Sequence, residues 1–205
     1  MRPSVPSPTV REGERSSWAG ALKVAGTTAY AAVRAVEPKA GETVAVSGAA
    51  GGVGALTVQL ARRAGARVIG IASASNADWL RSVGVEPLSY GDGLADRLRA
   101  ASPDGIDAFI DTFGGGYVQV ALELGVEPTR VETIADFAAA ERYGVQAVGG
   151  AKASTAAVLA ELAELIASGE LVVPIAAAYP IEQVREAYTE LAKRHTRGKI
   201  VLRMR

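Results

Sequence analysis

The sequence contains no cysteine. That excludes a disulfide framework, a cysteine-ligated zinc or iron–sulfur site and a cysteine nucleophile. It holds one histidine and few aromatic residues, 5% of the chain, so alanine, valine, leucine and isoleucine must fill any core. No sign of charge is in excess. Lysine and arginine total 22 and aspartate and glutamate 22, which removes any broad electrostatic reason to bind nucleic acid or an anionic membrane. No apolar run approaches the roughly 18 residues of a membrane span. The N-terminus lacks the apolar segment of a signal peptide, so a cytoplasmic location is expected. No G-x-x-x-x-G-K-[ST] stands in the chain, which excludes a P-loop nucleotidase.

What is present is an apolar fraction of 49% in 205 residues, enough for one domain with length to spare. Residues 1–17 hold three prolines and four serines and read as a disordered lead-in. From Trp18 to Val36 the recurrence of Val24, Thr28, Ala32 and Val36 predicts a helix. A regular alternation follows. Strands are expected at Thr43–Ser47, Arg67–Ile71, Pro87–Tyr90, Asp107–Asp111, Arg130–Ile134 and Val145–Val148, with helices between them. Short apolar strands alternating with helices indicate an α/β fold, a doubly wound, parallel, six-stranded Rossmann-type sheet covered on both faces. Residues 18–170 form this dinucleotide-binding domain. Residues 171–205 depart from the rhythm and read as a strand-helix-strand extension, with strands at Leu171–Ile175 and Lys199–Arg203 around a helix from Ile181 to Arg194.

The chemistry lies in Gly48-Ala-Ala-Gly51-Gly52-Val53-Gly54, between the first strand and the next helix. On the G-x-G-x-x-G template, Ala49 takes the first glycine position, Gly51 the second and Gly54 the third. Gly51 leaves room for a pyrophosphate, and Gly54 lets the helix pack on its strand. Gly52 and Val53 begin the helix, with free amides aimed at an anion. At the end of the second strand, Ile71-Ala-Ser73-Ala-Ser75-Asn76 has no acid before Asp78. A carboxylate there would hold a ribose 2′-hydroxyl, whereas hydroxyls and an amide can donate to a 2′-phosphate. The stretch therefore favours NADP(H) over NAD(H). The plainer role for Ser75 or Asn76 is to cap the following helix. No Y-x-x-x-K pair exists, which argues against a short-chain dehydrogenase.

Further markers are Gly26-Thr-Thr28-Ala-Tyr30, Ala72-Ser-Ala-Ser-Asn76 with Trp79-Leu-Arg-Ser-Val-Gly84, Tyr90, Ile110-Asp-Thr112-Phe-Gly-Gly115 and Arg197-Gly-Lys-Ile-Val-Leu202. Together with the glycine turn, they resemble the zinc-independent quinone oxidoreductase branch of the medium-chain dehydrogenase/reductase superfamily, from about Trp18 to the end of the chain. The resemblance implies an NADPH-dependent oxidoreductase that passes hydride to a small-molecule quinone or activated alkene. It places Thr28 near the nicotinamide and Ala49 and Gly51 to Gly54 at the pyrophosphate. Ser73, Ser75, Asn76 and Tyr90 fall around the 2′-phosphate, and Thr112, Phe113, Gly114, Ile134 and Asp136 along the cofactor. It assigns no catalytic acid or base and no metal.

Two departures stand out. A basic residue often found near Ser75 to Ala77 in such proteins is missing, with Arg81 the candidate to replace it. The family's N-terminal GroES-like catalytic domain is likewise expected to be largely missing, with residues 171–205 read as a remnant of it. Leu171–Ile175 and Lys199–Arg203 are thus expected to lack sheet partners. A homodimer paired through Val145–Val148 is expected, or a partner chain supplying the missing domain. The rival readings are a non-catalytic NADP(H)-binding module and a truncated fragment. His195, Glu161, Glu164 and the basic run Arg194–Lys199 read as solvated surface, and Asp111 as strand-end turn chemistry.

Overall fold

The computed structural model describes Gly20 and residues 22–204. The lead-in at 1–17 and the expected helix start at Trp18 lie outside the described residues. The chain enters on a wide π-type turn, Leu22–Gly26, which runs into helix α1, Thr27–Val36. Ala29, Ala32, Val33 and Val36 recur at helical spacing on its buried face. Strand β1, Thr43–Ser47, is buried at every position. It is followed by α2 (Gly54–Arg63), β2 (Arg67–Ala72), α3 (Ala77–Ser82), β3 (Glu86–Ser89), α4 (Leu94–Ala101), β4 (Ala108–Asp111), α5 (Tyr117–Glu123), β5 (Val131–Thr133), α6 (Phe137–Tyr143) and α7 (Ala156–Ala167).

The sheet order is β3-β2-β1-β4-β5, and every pairing is parallel. The chain builds outward from β1 on one side, then crosses to the other. The strand order therefore reverses between β1 and β4, the place where open α/β sheets bind ligands at the carboxyl ends of their strands. Side chains alternate between two cores. Val44, Val46 and Ile110 meet Leu56, Leu80, Leu162 and Ile166 on one face. Ala45, Ile69, Phe109 and Val131 meet Leu98, Val118 and Ala139 on the other. Burying a large apolar side chain such as Phe109 contributes about 1.5–3 kcal/mol. No helix among the described residues is long and apolar enough to cross a membrane.

The sheet has five strands, not six. Val145–Val148 is reduced to a single parallel bridge, Glu132 with Gln146. The Gln146 amide donates to the Val131 carbonyl at 2.9 Å, and the Thr133 amide to the Gln146 carbonyl at 3.0 Å. The ladder stops there because the next donor is diverted: the Val148 amide bonds Glu132 Oε1 at 2.7 Å. Gln146 Nε2 donates to the carbonyls of Ala35 and Thr129.

The extension also differs from expectation. Its first strand, β6, is Ile175–Pro180, four residues later than anticipated. Residues 171–173 are held by a side chain instead of a ladder. Gln59 accepts from the Val172 amide at 2.9 Å and donates to the Val172 carbonyl at 2.8 Å. After helix α8, Val184–Ala192, strand β7, Lys199–Arg203, pairs in parallel with β6. Both extension strands thus have partners, namely each other.

Glu132 is the anomaly of the sheet. It is fully buried, opposite Ile110, and its Oε2 has no hydrogen-bond partner. Burial pushes its carboxyl up to about 7, while the Val148 amide pulls it back. The folded state therefore holds a proton that the unfolded chain releases near 4.5. Stability falls as pH rises between these two values, and the full penalty is present above the higher one. Glu132→Gln should stabilise the protein by up to about 3 kcal/mol at pH 8 and leave it unchanged at pH 4, as read by urea unfolding across the range. An equal effect at both pH values would show that ionisation is not the cause.

Candidate functional site

The glycine turn stands at the carboxyl end of β1, where the strand order reverses. Gly48 has φ +59°, and a Cβ on it would lie 2.8 Å from Thr112 Oγ1. A Cβ on Gly54 would lie 2.1 Å from the Gly48 carbonyl oxygen. The first residue of α2 thus sits directly on the backbone that leaves β1, and only glycine fits. The Gly51 amide bonds the Gly48 carbonyl at 2.8 Å, and the Ala55 amide bonds Gly51 at 2.9 Å. Among the described residues, nothing accepts from the amides of Gly52, Val53 and Gly54. The helix begins at Gly54 instead of Gly52, so two of these free donors lie in the turn itself. The site thus presents several unpaired donors in an anion-binding geometry.

Asp111 fixes the floor. It is fully buried at the end of β4. Its Oδ1 accepts from Ser47 Oγ at 2.5 Å, the Phe113 amide at 3.0 Å and the Gly114 amide at 2.9 Å. Its Oδ2 accepts from Thr133 Oγ1 at 2.9 Å. Thr112 adds a bond from its Oγ1 to the Ser47 carbonyl at 2.7 Å. The ends of β1, β4 and β5 are therefore tied to one carboxylate.

Above this floor lies a cleft of about 330 Å³. Of the residues singled out from sequence, Gly51, Ser73, Asn76, Tyr90, Thr112 and Phe113 line it together. Ser73 Oγ lies 2.9 Å from Ser75 Oγ and accepts from Asn76 Nδ2 at 2.8 Å. Neither Ser73 nor Asn76 makes a side-chain cap bond to the helical turn it precedes, so this polar group is not spent on capping. Ser75 joins the cleft only through Ser73. Ala49 is buried, with its amide on the Ile71 carbonyl. Val53 packs against the core, and Gly52 lies beneath the Lys199 side chain.

The other expected residues lie apart from the cleft. Thr28 packs on Gly150, where an added Cβ would meet Thr28 Oγ1 at 2.6 Å. Gly114 turns the chain at φ +83°. Ile134 packs against the core. Asp136 caps α6 through the Ala139 amide at 3.0 Å. Arg81 pairs with Asp78 at 2.9 Å and does not reach the cleft.

The lining also includes Tyr117, which the sequence did not single out, and Arg194, His195 and Thr196, which it gave no part in the site. Phe113 and Tyr117 form an edge-on pair, with ring centres 6.1 Å apart. Burial, followed by the charges of Asp111 and Tyr90, raises the Tyr117 phenol above its ordinary value, so it stands neutral as a donor. Residues 194–196 arrive from the loop after α8. They are held there because the Gly198 amide bonds the Ala50 carbonyl at 2.8 Å. Gly198 has φ +76°, and a Cβ on it would strike the Pro174 carbonyl at 2.0 Å. Nothing local in Arg194-His-Thr announces this, and only the glycine two residues on is a hint. Glu161, expected to be solvated, accepts from Tyr30 Oη at 3.2 Å.

Comparison with known proteins follows the same lines. Residues 86–202 match the family model described as zinc-binding dehydrogenase. The chain is 40% identical over 113 residues to the NADP(+)-dependent 2-alkenal reductase of Nicotiana tabacum, covering 52% of this chain and 33% of that protein. The structure resembles the quinone oxidoreductase of Coxiella burnetii, with a TM-score of 0.78 and 30% identity, covering 90% of this chain and 60% of that one. It also resembles a mycobacterial protein complexed with NADPH, with a TM-score of 0.76 and 25% identity, over 94% of this chain and 66% of that one. The chain spans about a third of the length of the curated relatives it matches.

Two substitutions test the architecture. Gly54→Ala forces a methyl into the Gly48 carbonyl and should cost about 1–3 kcal/mol or more, whereas Gly52→Ala crowds only the flexible Lys199 stem, with the Gly198 carbonyl at an ordinary 3.4 Å, and should cost much less. Thermal unfolding of both variants gives the comparison, and equal losses would contradict the close contact. Asp111→Ala leaves buried donors from three strand ends unpaired and should cost at least about 3 kcal/mol, measured by urea unfolding.

Proposed function

The chain belongs to the zinc-binding dehydrogenase family, and on that premise we propose that it binds NADPH in the cleft at the end of β1 and serves NADPH-dependent reduction of a quinone or activated alkene. The observation that carries this reading is the turn itself. Gly54 sits on the Gly48 carbonyl, three amides beside it are unpaired, and both lie at the reversal of strand order. The relatives named as NADP-dependent and the NADPH-bound neighbour support the choice of cofactor.

The residues present fit such a group. Nothing of the protein other than the Gly48 carbonyl, at 3.1 Å, stands where a Cβ of Gly51 would be, which leaves space for a pyrophosphate against bare amides. Ser73 and Asn76 can turn their mutual hydrogen bonds outward to a 2′-phosphate. No aspartate or glutamate lines the cleft, and Arg194 does. A dianionic phosphate therefore meets donors and a cation but no like charge. Tyr90 and Phe113 offer aromatic surface to planar rings. When bound, NADPH would supply the hydride, and the chain's part is to bind, orient and exclude water.

The residues do not fit zinc. The chain has no cysteine and one histidine, and the described residues hold no cluster of three or more histidine, aspartate or glutamate side chains able to grip an ion. The proposed reading therefore routes no chemistry through zinc held by these residues. A module that binds cofactor without turnover is the second reading, favoured by a cleft that no aspartate or glutamate lines as an acid or base.

The test is a titration of the chain with NADPH and with NADH, followed by tryptophan fluorescence; Trp79 sits on α3, directly after Asn76. NADPH should bind at least roughly tenfold more tightly, the worth of one charge-assisted contact. No binding at millimolar concentration would overturn the proposal. NADPH oxidation with a simple quinone then separates the two readings, since binding without turnover leaves only the module.

A further inference from the structure

The turn carries an electrostatic arrangement that is unfavourable as it stands. Gly52, Val53 and Gly54 present unpaired amides at the start of α2, the positive end of a ten-residue helix. Laid over them is another positive group. A methyl placed on Gly52 would lie 2.8 Å from Lys199 Cδ and 3.5 Å from Lys199 Nζ. Lys199 is half-buried, and among the described residues no carboxylate pairs with it. Its backbone is fixed: its amide bonds the Pro174 carbonyl at 2.8 Å, and the preceding Gly198 amide bonds the Ala50 carbonyl at 2.8 Å. The ammonium is thus delivered to the turn by two backbone bonds. A cation at a helix N-terminus is disfavoured by the dipole and by the bare N–H groups. An anion held between the two positive features reverses the sign of both interactions.

We propose that Lys199, from the start of β7, is the cation that grips the pyrophosphate of the cofactor from the side opposite the glycine turn. The inference rests on the nucleotide-binding reading and deepens it by naming a residue from the far end of the chain. A phosphate oxygen within hydrogen-bond distance of the Gly52 or Val53 amide lies within the swing of a four-carbon side chain whose stem already crosses Gly52. The bond formed is an N⁺–H···O⁻ contact, stronger than a neutral one. Lysine, as a compact point charge on a flexible stem, suits a phosphate that also binds backbone amides. Thr196 Oγ1, in the same loop and lining the same cleft, is buried without a partner. The loop therefore offers a second unused polar group to the same ligand.

The experiment uses the full chain and two variants, Lys199→Gln, which keeps the stem over Gly52, and Lys199→Arg, which keeps the charge. NADPH and NADH are titrated against each at several salt concentrations. The pyrophosphate is common to both cofactors, so Lys199→Gln should weaken both equally, by roughly tenfold, and flatten the salt dependence. Lys199→Arg should restore most of the affinity. Without ligand, the thermal midpoint of Lys199→Gln should hold or rise, because the disfavoured cation is gone, whereas loss of a structural lysine would lower it. Unchanged affinity, or a loss confined to NADPH, would overturn the assignment while leaving the cofactor reading intact. If the unmodified chain bound neither cofactor, the cofactor reading itself would fail and the assignment with it.

Discussion

A single buried carboxylate holds the working end of this molecule together. Asp111 takes hydrogen bonds from Ser47 on β1, from Thr133 on β5 and from the two amides that follow β4. A buried charge is tolerable only when its oxygens are filled, and here four donors fill them. The consequence is geometric. The ends of three strands stop at one level, and Thr112 and Phe113 are thrown forward as the floor of the cleft. The carboxylate touches no ligand; it sets the height at which ligand-facing residues begin.

The second constraint is steric. Gly54 must lie on the Gly48 carbonyl for α2 to start where it does, and that contact bares the amides of the turn. A parallel contact closes the other side, where Gly198 lies against Pro174 and bonds Ala50. Two glycines far apart in sequence thus bring the glycine turn and the C-terminal loop together. The cleft is the space between them. It draws on residues as distant as Gly48 and Thr196, which explains why the extension cannot be treated as a mere appendage to the sheet.

Much of this was legible without coordinates, for identifiable reasons. Strands β1, β2 and β4 are short apolar runs, and a run of that length bounded by turns has few alternatives. The glycine spacing between β1 and α2 reflects contacts within seven consecutive residues, so its meaning is local. The absence of an acid after β2 was equally local. The errors arose where a side chain took over the bonding of a backbone. Val145–Val148 has the apolar pattern of a strand, yet Glu132 claims the Val148 amide. Leu171–Val173 has it too, yet Gln59 binds Val172 on both of its backbone groups. Apolar patterning reports burial, and Val145, Leu171 and Val173 are indeed buried, but neither segment extends into a ladder.

The sequence by itself determined the alternation of strand and helix, the turn and the polar, acid-free stretch after β2, because each is written in neighbouring residues whose φ, ψ and burial preferences are intrinsic. Only the tertiary structure decided which distant groups share the cleft. It brought Arg194, His195 and Thr196 to the cleft, laid Lys199 against Gly52, set Thr28 against Gly150 and Asp136 at the start of α6, and sealed Glu132 away from solvent. The physical reason is that hydrogen bonds and close contacts between segments depend on how two packed layers meet, and that meeting is set by the sum of all core contacts instead of by any short run of the chain.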